Sequence, residues 1–377
     1  MVINHGAHGE RRFESRRPGG GRVVGYGHGR GYAERNYYRG GRPYMRRTYA
    51  YGGRRYAYAY RGYYYHGYRY YGYVPAYYYA PGFYGWAYNP WVTPVAYGWG
   101  WGGAPWYGYY GYYFTPAPYY ATPALWLTDY MIAANLQAAY DARAAANANA
   151  AAADEQAAAN AGDAGGSGGA GGQVTLSPEV KQQIADEVRA QLAAERDAAA
   201  HPEPSGVVTS ALPDGATEQT GPDEVPASLD PAHRTFVVSD VLSETTAEGT
   251  ECSLSPGDVL TRIQDTPDAN QSVKVLVASS QKNDCASGTQ VAVAVTDLQE
   301  MQNAFRAKIS EGLGKLAENQ GKNGLPAGPA PGAKPNPAGQ AQPDLTIDAD
   351  LQAQQNDASQ AEKEVTDASS SSPSSDD

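Results

Sequence analysis

Ser272-Val273-Lys274-Val275-Leu276-Val277-Ala278 alternates strictly, with Val273, Val275 and Val277 on one face. A period of two marks a half-buried strand. Gln290-Val291-Ala292-Val293-Ala294-Val295 repeats the pattern, with Val291, Val293 and Val295 inward. Upstream, Thr235-Phe236-Val237-Val238 reads as a short strand, and Leu254 to Ile263 as a turn feeding another. Short strands separated by Gly, Asp, Asn and Ser turns predict a small all-β unit. A helix is expected next. Asp297 and Glu300 make a capping box, and Leu298, Met301, Phe305, Ile309 and Leu316 share one side. Residues 232–319 are therefore expected to be a small all-β sandwich or barrel followed by a C-terminal helix.

Outward from this region the composition changes sharply. All 32 tyrosines and all six tryptophans lie between Tyr26 and Tyr140. Residues 1–72 hold 15 arginines against Glu10, Glu14 and Glu34, and the first lysine is Lys181. The remainder is strongly acidic, although the whole chain carries only -11. Gly and Pro, at 44 and 26 residues, punctuate the apolar stretches. On these grounds most of the chain is expected to be disordered or low in complexity, with Ala-rich helices and the one small β domain as its ordered parts.

The expected segments are a disordered Arg/Gly/Tyr-rich arm (1–75), an aromatic Pro/Gly-rich segment (76–123) and an Ala-rich helix (124–160). A Gly-rich linker (161–176) leads to an amphipathic helix (177–199), which Ser177 caps with Pro178 at its first position. A linker (200–231) precedes the β domain, and an acidic disordered tail (320–377) follows it. In the amphipathic helix Val180, Ile184, Val188 and Leu192 recur every four residues and form one interface stripe.

Arginine stacks on aromatic rings and forks onto anions. Arg39, Arg42, Arg46, Arg47, Arg54, Arg55, Arg61 and Arg69 are thus the candidate anion-binding arm. Its candidate partners are an envelope polymer, an anionic surface, nucleic acid and the chain's own acidic parts. Trp99, Trp101, Trp106 and Trp126 are the candidates for self-association.

Cys252 and Cys285 are the only cysteines. A disulfide between them would close a loop of about 33 residues and stabilise a small domain by roughly 3–4 kcal/mol. Two buried free thiols are the alternative. A disulfide would place the chain outside the reducing cytosol. No apolar run reaches the length of a membrane span. The first residues carry no apolar signal core, so the chain is expected either to be cytosolic or to start downstream of a signal peptide.

Catalytic signatures are missing. There is no P-loop, His-Glu-x-x-His or Cys-x-x-Cys. The one Gly-x-Ser-x-Gly match, around Ser167, falls in the Gly-rich linker with no strand before it. His5, His8, His28 and His66 fall in the arm, and His201 and His233 at linker edges. No enzyme, cofactor or metal site is expected.

Leu254-Ser255-Pro256-Gly257-Asp258-Val259-Leu260 resembles the diverging turn of SH3-like barrels, and that resemblance covers about 65 residues. The region lacks the Tyr and Trp with which SH3 domains bind proline-rich peptides, so peptide binding is not implied. The same Pro-Gly-Asp-Val-Leu step is also similar to a strand of PDZ domains, which place a helix soon after it. Separately, Leu125-Trp126-Leu127-Thr128-Asp129-Tyr130 and Leu176-Ser177-Pro178-Glu179-Val180-Lys181 resemble segments of a family of uncharacterised exported bacterial proteins. These have a Gly/Tyr/Trp-rich N-terminal half and a Cys-pair domain. That resemblance implies export and an envelope location, and no activity.

The expected function is a non-catalytic, exported, envelope-associated structural or interaction protein. The alternative is a cytosolic RNA- or single-stranded-DNA-binding protein using the Arg/Gly/Tyr arm.

Overall fold

The computed structural model describes residues 2–5, 11–17, 21–27, 29–51, 53–157, 175–201, 208–209, 224–246, 248–282 and 284–370. The first strands are β1 (Val2–His5), β2 (Arg11–Arg16), β3 (Arg22–Gly27), β4 (Arg30–Arg39), β5 (Arg42–Tyr51), β6 (Arg54–Tyr65), β7 (Tyr68–Val74) and β8 (Tyr77–Tyr78). Four helices follow: α1 (Pro81–Tyr88), α2 (Pro105–Tyr110), α3 (Pro123–Ala157) and α4 (Pro178–Ala200). Then come β9 (Val208–Thr209), β10 (Thr235–Val237), β11 (Leu242–Thr245), β12 (Glu251–Leu254), β13 (Val259–Arg262), β14 (Ser272–Ser279) and β15 (Gln290–Ala294). The chain closes with α5 (Val295–Asn319), β16 (Lys334–Pro335) and α6 (Ile347–Ser370).

The expectation of a mostly disordered chain is overturned. Residues 1–75 contain seven antiparallel strands in sequential order, and the tail contains a 24-residue helix. Tight turns explain the difference. Gly40 and Gly41 both have positive φ and join β4 to β5 between the paired residues Arg39 and Arg42. A two-residue loop with both residues left-handed matches the twist of a hairpin. His66 and Gly67 do the same between β6 and β7.

The chain divides into two units. The first comprises 1–61, 206–218 and 340–377, and the second 62–205 and 219–339. In the first unit α6 lies on β2 to β5. Ile347 and Leu351 meet Val23, Ala33 and Ala50 in a small apolar core. Gly31 makes the approach possible: a Cβ there would sit 2.1 Å from the Val24 carbonyl oxygen and 2.7 Å from Leu351.

The second unit has two cores. One contains the sheet β10-β13-β14-β15, with Phe236, Leu260, Val273, Val275, Val277, Val291 and Val293 packed under Leu298 and Met301 of α5. The β11–β12 hairpin joins it through a bridge between Thr246 and Val291. The expected capping box is displaced, because α5 begins at Val295 and Asp297 lies in its first turn.

The other core packs α1 to α5 around aromatic rings. Residues 76–123, expected to be low in complexity, build much of it. Pro81 and Pro105 start helices, where a missing N–H costs nothing. Ser177 caps α4 as expected, its hydroxyl accepting from Val180 N. Part of the expected tail also packs here: β16 pairs with β8, and the buried Asn336 donates to the Pro75 carbonyl. Residues 158–174, most of the expected linker at 200–231, and residues 371–377 lie outside the described residues.

One buried ion pair organises the helical core. Asp129 on α3 accepts from Tyr120 OH at 2.7 Å and from Ala117 N at 2.6 Å. Lys181 Nζ on α4 stands 2.8 Å from its other oxygen. Trp99 Nε1 extends the chain of bonds by donating to Tyr120. Removing one member of a buried pair costs about 3–5 kcal/mol, whereas replacing both by apolar isosteres is often near neutral. Lys181→Met should therefore lower the urea midpoint sharply, and Lys181→Met with Asp129→Leu should recover part of the loss. A single variant as stable as the parent would show that the pair does not organise this core.

Candidate anion-binding face

In the first unit, strand alternation sorts the side chains onto two faces. The register pairs Tyr32 with Tyr49, Glu34 with Arg47, Arg35 with Arg46, Tyr37 with Tyr44 and Arg39 with Arg42. Tyr32, Glu34, Arg47 and Tyr49 therefore share one face, and Arg35, Tyr37, Arg39, Arg42, Tyr44 and Arg46 the other.

The first face is satisfied internally. Arg47 forks onto Glu34 Oε1 at 2.8 and 3.0 Å, and Arg22 Nε donates to Glu34 Oε2 at 3.0 Å. The Arg47 guanidinium lies over the Tyr32 and Tyr60 rings at 4.5 and 5.0 Å. Tyr49 and Tyr56 stack with centroids 5.1 Å apart. Arg47 is thus buried and consumed, not an exposed anion site.

The second face carries α6 at one end. Arg17 Nη1 donates to Asp344 Oδ2 at 2.8 Å, and its Nη2 bonds Asp350 and Thr346. Arg35 Nε meets the same Asp344 oxygen at 2.5 Å. Asp344 N donates to Thr48 Oγ1, and Arg55 pairs with Asp348. The anionic partner of these arginines is the chain's own acidic segment. Burial alone would raise the Asp344 carboxyl, but the donors from Arg35, Arg17 and Thr346 reverse this and hold it well below the usual carboxylate range.

Of the other candidate arginines, Arg39, Arg42, Arg46 and Arg61 lie on the α6 side of the sheet, each at a register position next to a Tyr or an Arg. Arg54 is exposed at the start of β6. Arg69, in the second unit, donates to the Tyr64 hydroxyl. Sequence reasoning missed Arg17, Arg35 and the three aspartates. The Gly40-Gly41 hairpin signal and the alternation around it were the available clues.

The remaining candidates all lie in the second unit. Cys252 and Cys285 form a disulfide, with Cα atoms 5.1 Å apart. The tryptophans turn inward rather than outward. Trp99 stacks on Trp101 and Trp126 at 4.3 and 4.8 Å, and Trp106 packs edge-on to Trp101. Trp126 and Trp106 are buried, which removes them as a surface for self-association. Val180, Ile184, Val188 and Leu192 are buried in the same core, so the stripe of α4 faces its own domain.

Among the described residues there is no cluster of three His, Cys, Asp or Glu side chains placed to hold a metal, and no helix long and apolar enough to cross a membrane. Compared with protein-family models, with curated proteins and with solved structures, the chain matches none.

Two pH dependences follow, one from each unit. Asp344 is depressed when folded, so its contribution is present above the ordinary aspartate pKa of about 4 and is lost as pH falls below it. Amides of residues 351–360 should lose hydrogen-exchange protection below about pH 4, and Asp344→Asn should remove that protection already at neutral pH. Unchanged exchange in the variant would separate α6 docking from this carboxylate.

In the second unit, burial pushes Glu195 up to about 7, against the opposing pull of Arg306 and bonds from Gln191 and Tyr84. The folded state then holds a proton that the unfolded chain releases above about 4.5. Stability should therefore fall as pH rises from 4.5 to 7. Glu195→Gln should flatten that slope in thermal melts, and an undiminished slope would assign it to other groups.

Proposed function

We propose that the chain is a non-catalytic structural or interaction protein that works outside the reducing cytosol, in the cell envelope or beyond it. The Cys252–Cys285 disulfide carries this reading, because such bridges persist in oxidising compartments. Two further observations support it. The segments resembling exported bacterial proteins, 125–130 and 176–181, meet through the Asp129–Lys181 pair. Two buried carboxylates serve local structure: Asp129 anchors a loop through Ala117 N, and Asp258 accepts from Ser255 N and Gln281 N in the turn before β13. The interaction element is the arginine face of the first unit, and the second unit is the rigid aromatic body. An SH3-like character of the β10–β15 region belongs to this proposal as well, without peptide binding.

The alternative of a cytosolic nucleic-acid binder draws less support, since Arg17, Arg35, Arg47 and Arg55 already hold carboxylates of the chain.

The deciding experiment is alkylation of protein taken from its native host. Cys252 and Cys285 should resist alkylation in denaturant until reductant is added. Two thiols that alkylate without reduction would sink the proposal. Replacing both cysteines by serine should destabilise the second unit by roughly 3–4 kcal/mol.

A further inference from the structure

The second unit exposes a surface that its aromatic core does not use. The chain has no charged side chain between Arg69 and Asp129. Within that stretch two loops pair. Trp91 N donates to the Ala121 carbonyl at 2.9 Å, and Val95 and Tyr120 exchange backbone bonds at 3.0 and 2.8 Å. Neighbouring residues in such a bridge point to opposite sides. Tyr120 is accordingly buried, whereas Pro94, Ala96, Tyr119 and Ala121 are exposed. Val92 stands fully exposed where the first loop bulges between its two backbone anchors, and Tyr119 on the second loop is 64% exposed.

The loops are held from beneath. The Trp91 ring packs on Trp86 with centroids 5.9 Å apart, and Tyr120 OH is fixed by Asp129 and Trp99. Single exposed apolar side chains are ordinary on a protein, but a rigid, uncharged group of them marks an interaction surface. Gly324 lies against the first loop, since a Cβ there would sit 2.3 Å from the Ala96 carbonyl oxygen. Two residues before it Lys322 is exposed, its Nζ donating to the Glu318 carbonyl. One cation therefore borders the uncharged surface.

We propose that the paired loops 91–96 and 119–121 are a membrane-contact site that dips into the interfacial layer of a phospholipid bilayer. A protruding valine needs either a matching pocket or a deformable apolar phase, and a bilayer supplies the second. Pro90 and Pro94 carry no N–H, so the tip has fewer backbone donors to strip of water on entry. Tyr119, with the half-buried Tyr97 and Trp99, has the amphipathic rings that sit at headgroup depth. Lys322 can extend its ammonium to a lipid phosphate, which favours anionic headgroups. The proposal deepens the envelope reading and rests on it only for which membrane is met.

The test sediments the full, disulfide-intact chain with vesicles of phosphatidylcholine alone or mixed equally with phosphatidylglycerol. The chain should bind both, and the mixed vesicles more tightly. Val92→Glu with Tyr119→Glu should weaken binding to either about tenfold or more. Lys322→Gln should reduce only the preference for phosphatidylglycerol, by about fivefold. Ile263→Glu, at an exposed apolar position just after β13, should leave binding unchanged. Should the double glutamate variant melt early, Val92→Ser with Tyr119→Ser takes its place, with a several-fold loss expected. Absence of binding to both vesicles, or equal binding by the folded double variant, overturns the site. A parent chain that dimerises without vesicles, and a double variant that is monomeric, overturn the occupant and assign the surface to a second copy of the chain. The thiol measurement reads the compartment alone, so a failed contact and a failed compartment are told apart.

Discussion

The carboxylate of Asp344 is the point on which the first unit turns. Thirteen arginines lie on strands β2 to β6, and such a sheet repels itself unless anions are built in. Glu34 supplies one anion within the sheet, held between Arg22 and Arg47. Glu14, between Arg12 and Arg22, supplies a second, and Asp344 brings a further one from far along the sequence, held between Arg17 and Arg35. Helix α6 adds apolar contact as well, with Ile347 and Leu351 contributing roughly 2–3 kcal/mol each. Glycine at residue 31 lets the helix come close enough for both terms to act.

The second unit relies on a different device. Aromatic rings from its loops and short helices fill much of its helical core, beside the aliphatic residues of α3, α4 and α5. Trp126 has Trp99 on one side and Tyr130 on the other, both near-parallel. Large rings bury much area per residue. Their polar ends then need partners, and the chain Trp99–Tyr120–Asp129–Lys181 provides them in sequence. A lysine placed early in α4 therefore governs how a tryptophan on a loop is seated.

Legibility varied with the kind of signal. The valine strands at 272–279 and 290–294 were plain, because aliphatic alternation reports burial directly. The Ser177-Pro178 start of α4 was equally plain, as local capping chemistry is written in adjacent residues. The tyrosine strands were not, for two reasons. Tyrosine and arginine alternate with each other, and both have polar ends, so apolar periodicity fades although the side chains still segregate by face. The glycines between them also add to a composition that looks low in complexity, whereas Gly40 and Gly41 are hairpin turns. The site itself was half visible. Arg39, Arg42 and Arg46 could be named as cations, but their facing across β4 and β5 needed the register. The link from Arg17 to Asp344 spans 327 residues and leaves no local trace.

That span has a consequence for how the protein is made. The sheet leaves the ribosome about 280 residues before the acidic helix that neutralises it. Until that helix is made the strands are a basic, tyrosine-rich surface with exposed backbone edges, a form prone to wrong pairing. The second unit is meanwhile complete in sequence before the first can close. The nascent chain thus resembles, for a time, the open arginine-rich arm that its composition suggests, and a delay or truncation before residue 344 would leave it in that state.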